Sequence, residues 1–205
     1  MTWIMVDVET DGPAPGLFSM ISLGAAVVGP RCSECSDTRR VWDNGDMTDC
    51  RCKGRPVEPD PRETFYGRFR PLDGASWQPD ALAVSGHSRE ECEAFPEPEE
   101  EMRRFAAWLD HVRRDAKDRL YFVSDNNGFD WQFVNWYFWR FLGRNPFGHS
   151  STNLGSLYKG LVQDTTKNFK HLRRTQHTHH PVDDALGNVE ALVHLRAEMG
   201  LKISW

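Results

Sequence analysis

Trp3-Ile4-Met5-Val6-Asp7-Val8-Glu9-Thr10-Asp11-Gly12 reads as a β-strand that carries two acids where an apolar strand should have none. Residues 3–8 are apolar except for Asp7, and a turn rich in Gly and Pro begins at Gly12, so a buried strand is predicted to end there. Asp7 and Glu9 are two residues apart, and the pleat therefore points both carboxylates to one face. Two carboxylates on one face repel. The strand tolerates them if solvent reaches the pair at the sheet edge, or if they share a cation; a hard divalent ion such as Mg²⁺ or Mn²⁺ prefers oxygen ligands of this kind. The pair alone leaves both readings open.

Apolar character resumes over 20–28, so the first two strands are expected to pair as a hairpin. A third strand is predicted over 64–69, anchored by Phe65, Tyr66 and Phe69, and a fourth over 120–123. Helical patterns cover 99–112, 130–142 and 181–199. Glu97, Glu99, Glu100 and Glu101 precede Met102, Phe105, Trp108 and Leu109, which suits the start of an amphipathic helix. Pro181 suits a first helical position, and Asp183 with Asp184 complements the positive end of the helix dipole. Strands first, then strands alternating with helices, imply a mixed α/β class, and 205 residues suffice for a single domain over 1–205. In the helix over 130–142, Trp136, Tyr137, Phe138 and Trp139 are consecutive and point to every side. Such a helix must be covered, by the chain's own core or by a subunit interface, and the second cover would make the protein a homodimer.

The formal net charge of −5 excludes a broadly basic surface that coats a duplex, so any nucleic-acid contact must be local. A local basic stretch exists: Lys167, Lys170, Arg173 and Arg174, interleaved with His171 and followed by His177, His179 and His180. It reads as a solvated loop or as a phosphate contact. No run approaches the roughly 20 apolar residues of a membrane span, and the N-terminus lacks a secretory pattern, so a cytoplasmic protein with no membrane partner is expected. Residues 29–61 break the apolar pattern and look like an insertion between the second and third strands. Within it, Cys32 and Cys35 have metal-ligand spacing, while Cys50 and Cys52 stand closer than the second pair of most zinc sites. One structural Zn²⁺ held by these four cysteines and free loop thiols stand as alternatives, both ahead of disulfides in a reducing compartment. Cys92 lies outside the cluster.

Two more segments carry carboxylates at helix starts. Asn126-Asn127-Gly128-Phe129-Asp130 follows the fourth strand, where an ordinary helix cap would account for Asp130. His179-His180-Pro181-Val182-Asp183-Asp184 sets an imidazole before a helix and carboxylates in its first turn; capping explains the carboxylates but not the histidine. Taken together, Val6-Asp7-Val8-Glu9-Thr10, Asn127-Gly128-Phe129-Asp130, and His179 with Asp184 five residues later resemble the three motifs of the DEDDh 3′-to-5′ exonucleases. That family includes oligoribonucleases and the proofreading subunits of DNA polymerases. The resemblance runs from Asp7 to about Leu195 and departs at the cysteine-bearing insertion.

The resemblance implies a ribonuclease-H-like fold and hydrolysis of phosphodiester bonds at the 3′ ends of single-stranded nucleic acid, with RNA slightly favoured over DNA because short stand-alone members often act on it. It gives Asp7 a bridging place between two Mg²⁺ or Mn²⁺ ions, makes Glu9, Asp130 and Asp184 the remaining protein ligands, and makes His179 the general base. It also places Thr10, Asn127, Phe129, and Leu82 in the segment 81–88, against the substrate. The chemistry agrees on its own terms. Phosphodiester hydrolysis needs an activated water, stabilisation of charge on phosphorus and neutralisation of the leaving oxygen, and two cations about 4 Å apart supply all three. A histidine, with an unperturbed pKa of about 6.5, takes the proton of the attacking water. Two other readings are a catalytically silent nucleic-acid or partner-binding module of the same fold, and a metal-dependent hydrolase of small nucleotides. Four mutually repelling acids favour catalysis over the silent module, which has no need of them.

Overall fold

The computed structural model describes residues 1–29, 40–43, 45–49, 63–113 and 117–203. Cys32, Cys35, Cys50 and Cys52 lie outside the described residues. The strands are β1 (Thr2–Thr10), β2 (Met20–Val28), β3 (Arg40–Asp43), β4 (Asp46–Asp49), β5 (Thr64–Arg68), β6 (Leu120–Ser124) and β7 (Ser151–Asn153). The helices are α1 (Pro79–Val84), α2 (Arg89–Glu93), α3 (Pro98–Val112), α4 (Asn127–Tyr137), α5 (Leu154–Val162) and α6 (Pro181–Glu198). Five strands form one sheet in the order β5-β2-β1-β6-β7, and β3 pairs with β4 separately. The β1–β2 and β2–β5 pairs are antiparallel, while β1–β6 and β6–β7 are parallel. The four strands and three helices expected from apolar periodicity all form. The sequence signals neither the β3–β4 pair nor α1, α2, β7 and α5, each of nine residues or fewer and too short for a periodic pattern.

Side-chain alternation along β1 divides the interior in two. Ile4, Val6 and Val8 join Phe65, Phe105, Phe133 and Phe138 in one core, on the side of α3 and α4. Met5 joins Val123, Leu154, Ala185, Val189 and Leu192 in the other, on the side of α5 and α6. By the same alternation Asp7 and Glu9 continue the Met5 face, beneath α6. The sheet is thus buried on both faces, which is why β1 and β2 read as dense apolar runs.

The aromatic helix is covered largely by its own chain. Phe133, Val134, Tyr137 and Phe138 are buried, and the Tyr137 hydroxyl accepts a hydrogen bond of 2.8 Å from the Met20 backbone N–H, tying α4 to the start of β2. The helix widens into a π-helical turn over Phe138–Leu142 and stops at Gly143, whose φ of 64° is the left-handed cap conformation. Trp139 remains about half exposed. Among the described residues no helix is long and apolar enough to cross a membrane.

Candidate active site

The three segments that carry acids meet at one end of β1. β6 lies parallel to β1 and hands over to α4, so Asp130, in the first turn of that helix, is delivered beside the end of β1. Asp130 is no helix cap: it sits inside the helix and its N–H donates to the Asn126 carbonyl at 3.0 Å. From the other side α6 brings Asp184, 2% exposed, over the same place. Carboxylate oxygens of Asp7, Glu9 and Asp184 all lie within 4.8 Å of one another. Burial, then the charges of Asp130, Glu9 and Asp184, hold Asp7 well above the usual carboxylate range, and Arg173 offsets this in part. Burial, with Asp184 and Asp130, pushes Glu9 up to about 7, and burial pushes Asp130 up to about 7.

Such a group is unfavourable as it stands. Asp130 Oδ2 and Asp184 Oδ2 are buried without a hydrogen-bond partner, and a buried unsatisfied acceptor costs about 1–3 kcal/mol, more when charged. Divalent cations remove both penalties at once, by supplying the missing partners and by neutralising the repulsion. The donors are carboxylate oxygens, which fits hard ions that take oxygen ligands.

What lets α6 come close enough is Gly24. It pairs with Asp7 in the β1–β2 ladder. A Cβ at this position would overlap the carbonyl carbon and oxygen of Pro181 and the amide nitrogen of Val182, which are backbone atoms and cannot rotate away. The bare strand surface at Gly24 therefore sets the distance between Asp184 and Asp7. Gly24→Ala should push the start of α6 off the sheet. Overpacking of this kind costs about 1–3 kcal/mol of stability, and a misplacement on the order of 1 Å can cost on the order of 10²-fold in rate. Parallel melting and cleavage assays check this; a variant with wild-type turnover would show that α6 does not depend on this contact.

Before α6 the chain forms a tight loop. The Thr178 N–H donates to Asp184 Oδ1 at 3.2 Å, the Thr178 hydroxyl donates to Asp183 Oδ2 at 2.9 Å, and the His180 N–H donates back to Thr178 Oγ at 3.2 Å. His179 has a φ of 60°, a left-handed backbone that costs a residue other than glycine of order 1–3 kcal/mol and that clusters at functional sites. This conformation turns the two adjacent histidines apart. His179 Nδ1 lies 3.9 Å from Glu9 Oε1, whereas the His180 ring packs on Tyr66 of β5 with centroids 4.6 Å apart. A third histidine, to which the sequence assigns no role beyond the basic stretch, also reaches the site: His177 Nδ1 lies 2.7 Å from Asp184 Oδ1, and its ring is 4.3 Å from that of His179. In the sequence only its place two residues before His179 could have marked it.

The remaining site expectations are placed less simply. The Thr10 hydroxyl is buried and donates to the Gly12 carbonyl at 2.8 Å, so its side chain is engaged within the turn. Asn127 donates to Ser151 Oγ at 2.8 Å, and Phe129 is half-buried with its ring 5.3 Å from that of Phe133. Leu82 does not present its side chain at the surface: it is 3% exposed and packs with Ile21 and Cys92, because α1 turns that face inward, and the exposed large apolar residue of the helix is Val84. The basic stretch also splits. Arg173 is turned in, bonded to Asp125 Oδ2 at 2.9 Å with its guanidinium 5.2 Å from the Phe169 ring centroid, and its charge acts on Asp7. Lys167 and Lys170 are exposed.

No family model matches the chain. A curated relative does: the chain is 31% identical to the 3′-5′ DNA exonuclease Cap18 of Escherichia coli over 160 residues, 78% of this chain and 68% of that one. Among solved structures, the zinc-bound form of the Escherichia coli exonuclease I complex with single-stranded DNA superposes with a TM-score of 0.65 at 16% identity, over 97% of this chain. The chain spans only 41% of that longer protein. The nuclease domain of 3′hExo, a DEDDh family member bound to rAMP, superposes with a TM-score of 0.66 at 12% identity and covers 100% of this chain and 96% of its own. At these identities the two structures show a shared fold, the ribonuclease-H-like arrangement of a mixed five-stranded sheet between helices. The Cap18 match is close enough and long enough to show more, and with the fold it establishes that this chain belongs to the DEDDh family of metal-dependent 3′-to-5′ exonucleases.

Proposed function

We propose that the protein removes nucleotides one after another from the 3′ ends of single-stranded DNA, with Asp7, Glu9, Asp130 and Asp184 holding two Mg²⁺ or Mn²⁺ ions and His179 as general base. The observation that carries this reading is the convergence of Asp7, Glu9 and Asp184 within 4.8 Å, with Asp130 of α4 near enough for its charge to raise Asp7 and with an exposed imidazole 3.9 Å from Glu9. Bound cations would activate water and neutralise the charge that develops on phosphorus and on the leaving oxygen. The chain's own residues do the rest. β1 and α6, set apart by Gly24, fix the spacing of the acids. The left-handed turn at His179 keeps its imidazole over Glu9, where a ring nitrogen accepts the proton of the attacking water. Lys167, Lys170 and Arg174 are exposed basic residues on the way to phosphates further along the strand.

DNA is put ahead of RNA, reversing the slight preference drawn from short stand-alone family members, because the relative at 31% identity is a DNA exonuclease. The test is to incubate the protein with 5′-labelled single-stranded DNA, single-stranded RNA and dinucleotides in Mn²⁺. A ladder that shortens from the 3′ end, faster on DNA, is the expected result. A ladder on RNA alone would reverse the substrate, cleavage confined to dinucleotides would make the protein a hydrolase of small nucleotides, and no product from any substrate would make it a silent binding module.

A further inference from the structure

His177, His179 and Asp184 form a second donor group beside the four acids. One ligand atom from each lies within 4.8 Å of the other two. The group differs in kind from the carboxylate cluster, having two imidazole nitrogens and one carboxylate oxygen. Mg²⁺ takes oxygen ligands in near-octahedral geometry and keeps several waters, whereas imidazole suits zinc, copper and nickel. Three protein ligands with an open fourth position is a common zinc arrangement. Asp184 anchors the group: it is 2% exposed, its Oδ1 faces His177, and its Oδ2 is buried without a partner. His177 and His179 are both about half exposed, on a short loop, so an ion has access from solvent. Donors around a tetrahedral zinc stand roughly 3.3 Å apart, between the 2.7 Å of the His177–Asp184 contact and the 4.8 Å that bounds the group, so side-chain adjustments on the exposed loop seat the ion.

We propose that His177, His179 and Asp184 form a site for a borderline transition-metal ion, represented by Zn²⁺, and that filling it shuts the exonuclease down. The shutdown rests on the proposed function: an ion on His179 takes the lone pair that would accept the water's proton, and an ion on Asp184 removes an oxygen from the catalytic set. Binding itself does not rest on that function. The cluster would thus make the enzyme active with Mg²⁺ or Mn²⁺ and silent when a nitrogen-seeking metal is abundant.

The test compares the full-length wild type with His177→Ala, leaving the cysteines in place so that any zinc they hold is common to both. Dialysed against Zn²⁺ in excess Mg²⁺, the wild type should retain one more zinc per chain. In a Co²⁺ titration it should show a visible absorption band of nitrogen- and oxygen-ligated cobalt that the variant lacks. Measured against each variant's own Mg²⁺ rate, the Zn²⁺ concentration for half-inhibition should rise on the order of tenfold or more in His177→Ala. Equal zinc content and equal zinc sensitivity in the two proteins would overturn the site. An extra zinc in the wild type without inhibition would overturn the shutdown and support the site. An extra zinc in a protein that degrades no nucleic acid would support the site and refute the proposed function.

Discussion

Asp7→Asn is expected to abolish most metal-supported hydrolysis while making the metal-free protein more stable. Asp7 lies at the centre of the cluster, raised by burial and by the charges of Asp130, Glu9 and Asp184 together. An amide keeps the shape but offers a neutral oxygen, so it cannot bridge cations. Loss of one preorganised electrostatic contact of this sort costs on the order of 10²–10³ in rate. The stability gain has the opposite origin. These carboxylates have folded pKa values above their unfolded ones, so between about pH 4 and 7 the native protein binds more protons than the unfolded chain. Stability that is full below the unfolded values is therefore lost as pH rises through that window. Mn²⁺ or Mg²⁺, binding the ionised form with release of protons, should restore it. Melting curves at pH 5 and pH 8, in EDTA and in Mn²⁺, should show a pH-dependent loss in metal-free wild type that is smaller in Asp7→Asn and smaller with metal. Cleavage by Asp7→Asn at the wild-type rate would remove the two-metal assignment.

The second large effect separates two neighbours. His179→Ala should fall on the order of 10²–10⁴ in rate, the usual loss for a general base, while still binding metal and DNA. His180→Ala should lose far less, because its ring lies on Tyr66 of β5 and its backbone, not its side chain, joins the loop hydrogen bonds. The assay is single-turnover cleavage of labelled DNA by each variant. The reverse order, with His180→Ala nearly inactive and His179→Ala nearly normal, would mean that the loop turns the other way in the working enzyme.

The two cases differ in how they could be known beforehand. Asp7 and Glu9 are legible because a strand's period of two forces their side chains together, whatever the fold, and because apolar neighbours make two charges there conspicuous. His179 was separable from His180 by its spacing to Asp184 and by Pro181, since a proline at the first helical position leaves His180 as the residue before the helix. The structure adds the cause of their divergence, a φ of 60° in a loop held by the hydrogen bonds around Thr178.

The sequence by itself determined the long elements and the residues to look for at the site. Dense apolar runs mark β1 and β2, 3.6-residue patterns mark α3 and α6, Asp7 and Glu9 stand out against the first run, and the family resemblance of three short motifs adds Asp130, His179 and Asp184. These are local properties, written in periodicities of a few residues. Tertiary structure alone decided what depends on distant segments touching. Gly24 is an unremarkable strand residue until Pro181 and Val182 cross it. Leu82 is a plausible surface contact until α1 folds it onto Ile21. Arg173 looks like a phosphate ligand until Asp125 and Phe169 claim it, and His177 is one more basic-loop residue until Asp184 stands 2.7 Å away. No periodicity encodes such meetings, because the first three join chain segments far apart in sequence and the last depends on how the loop before α6 turns back on that helix.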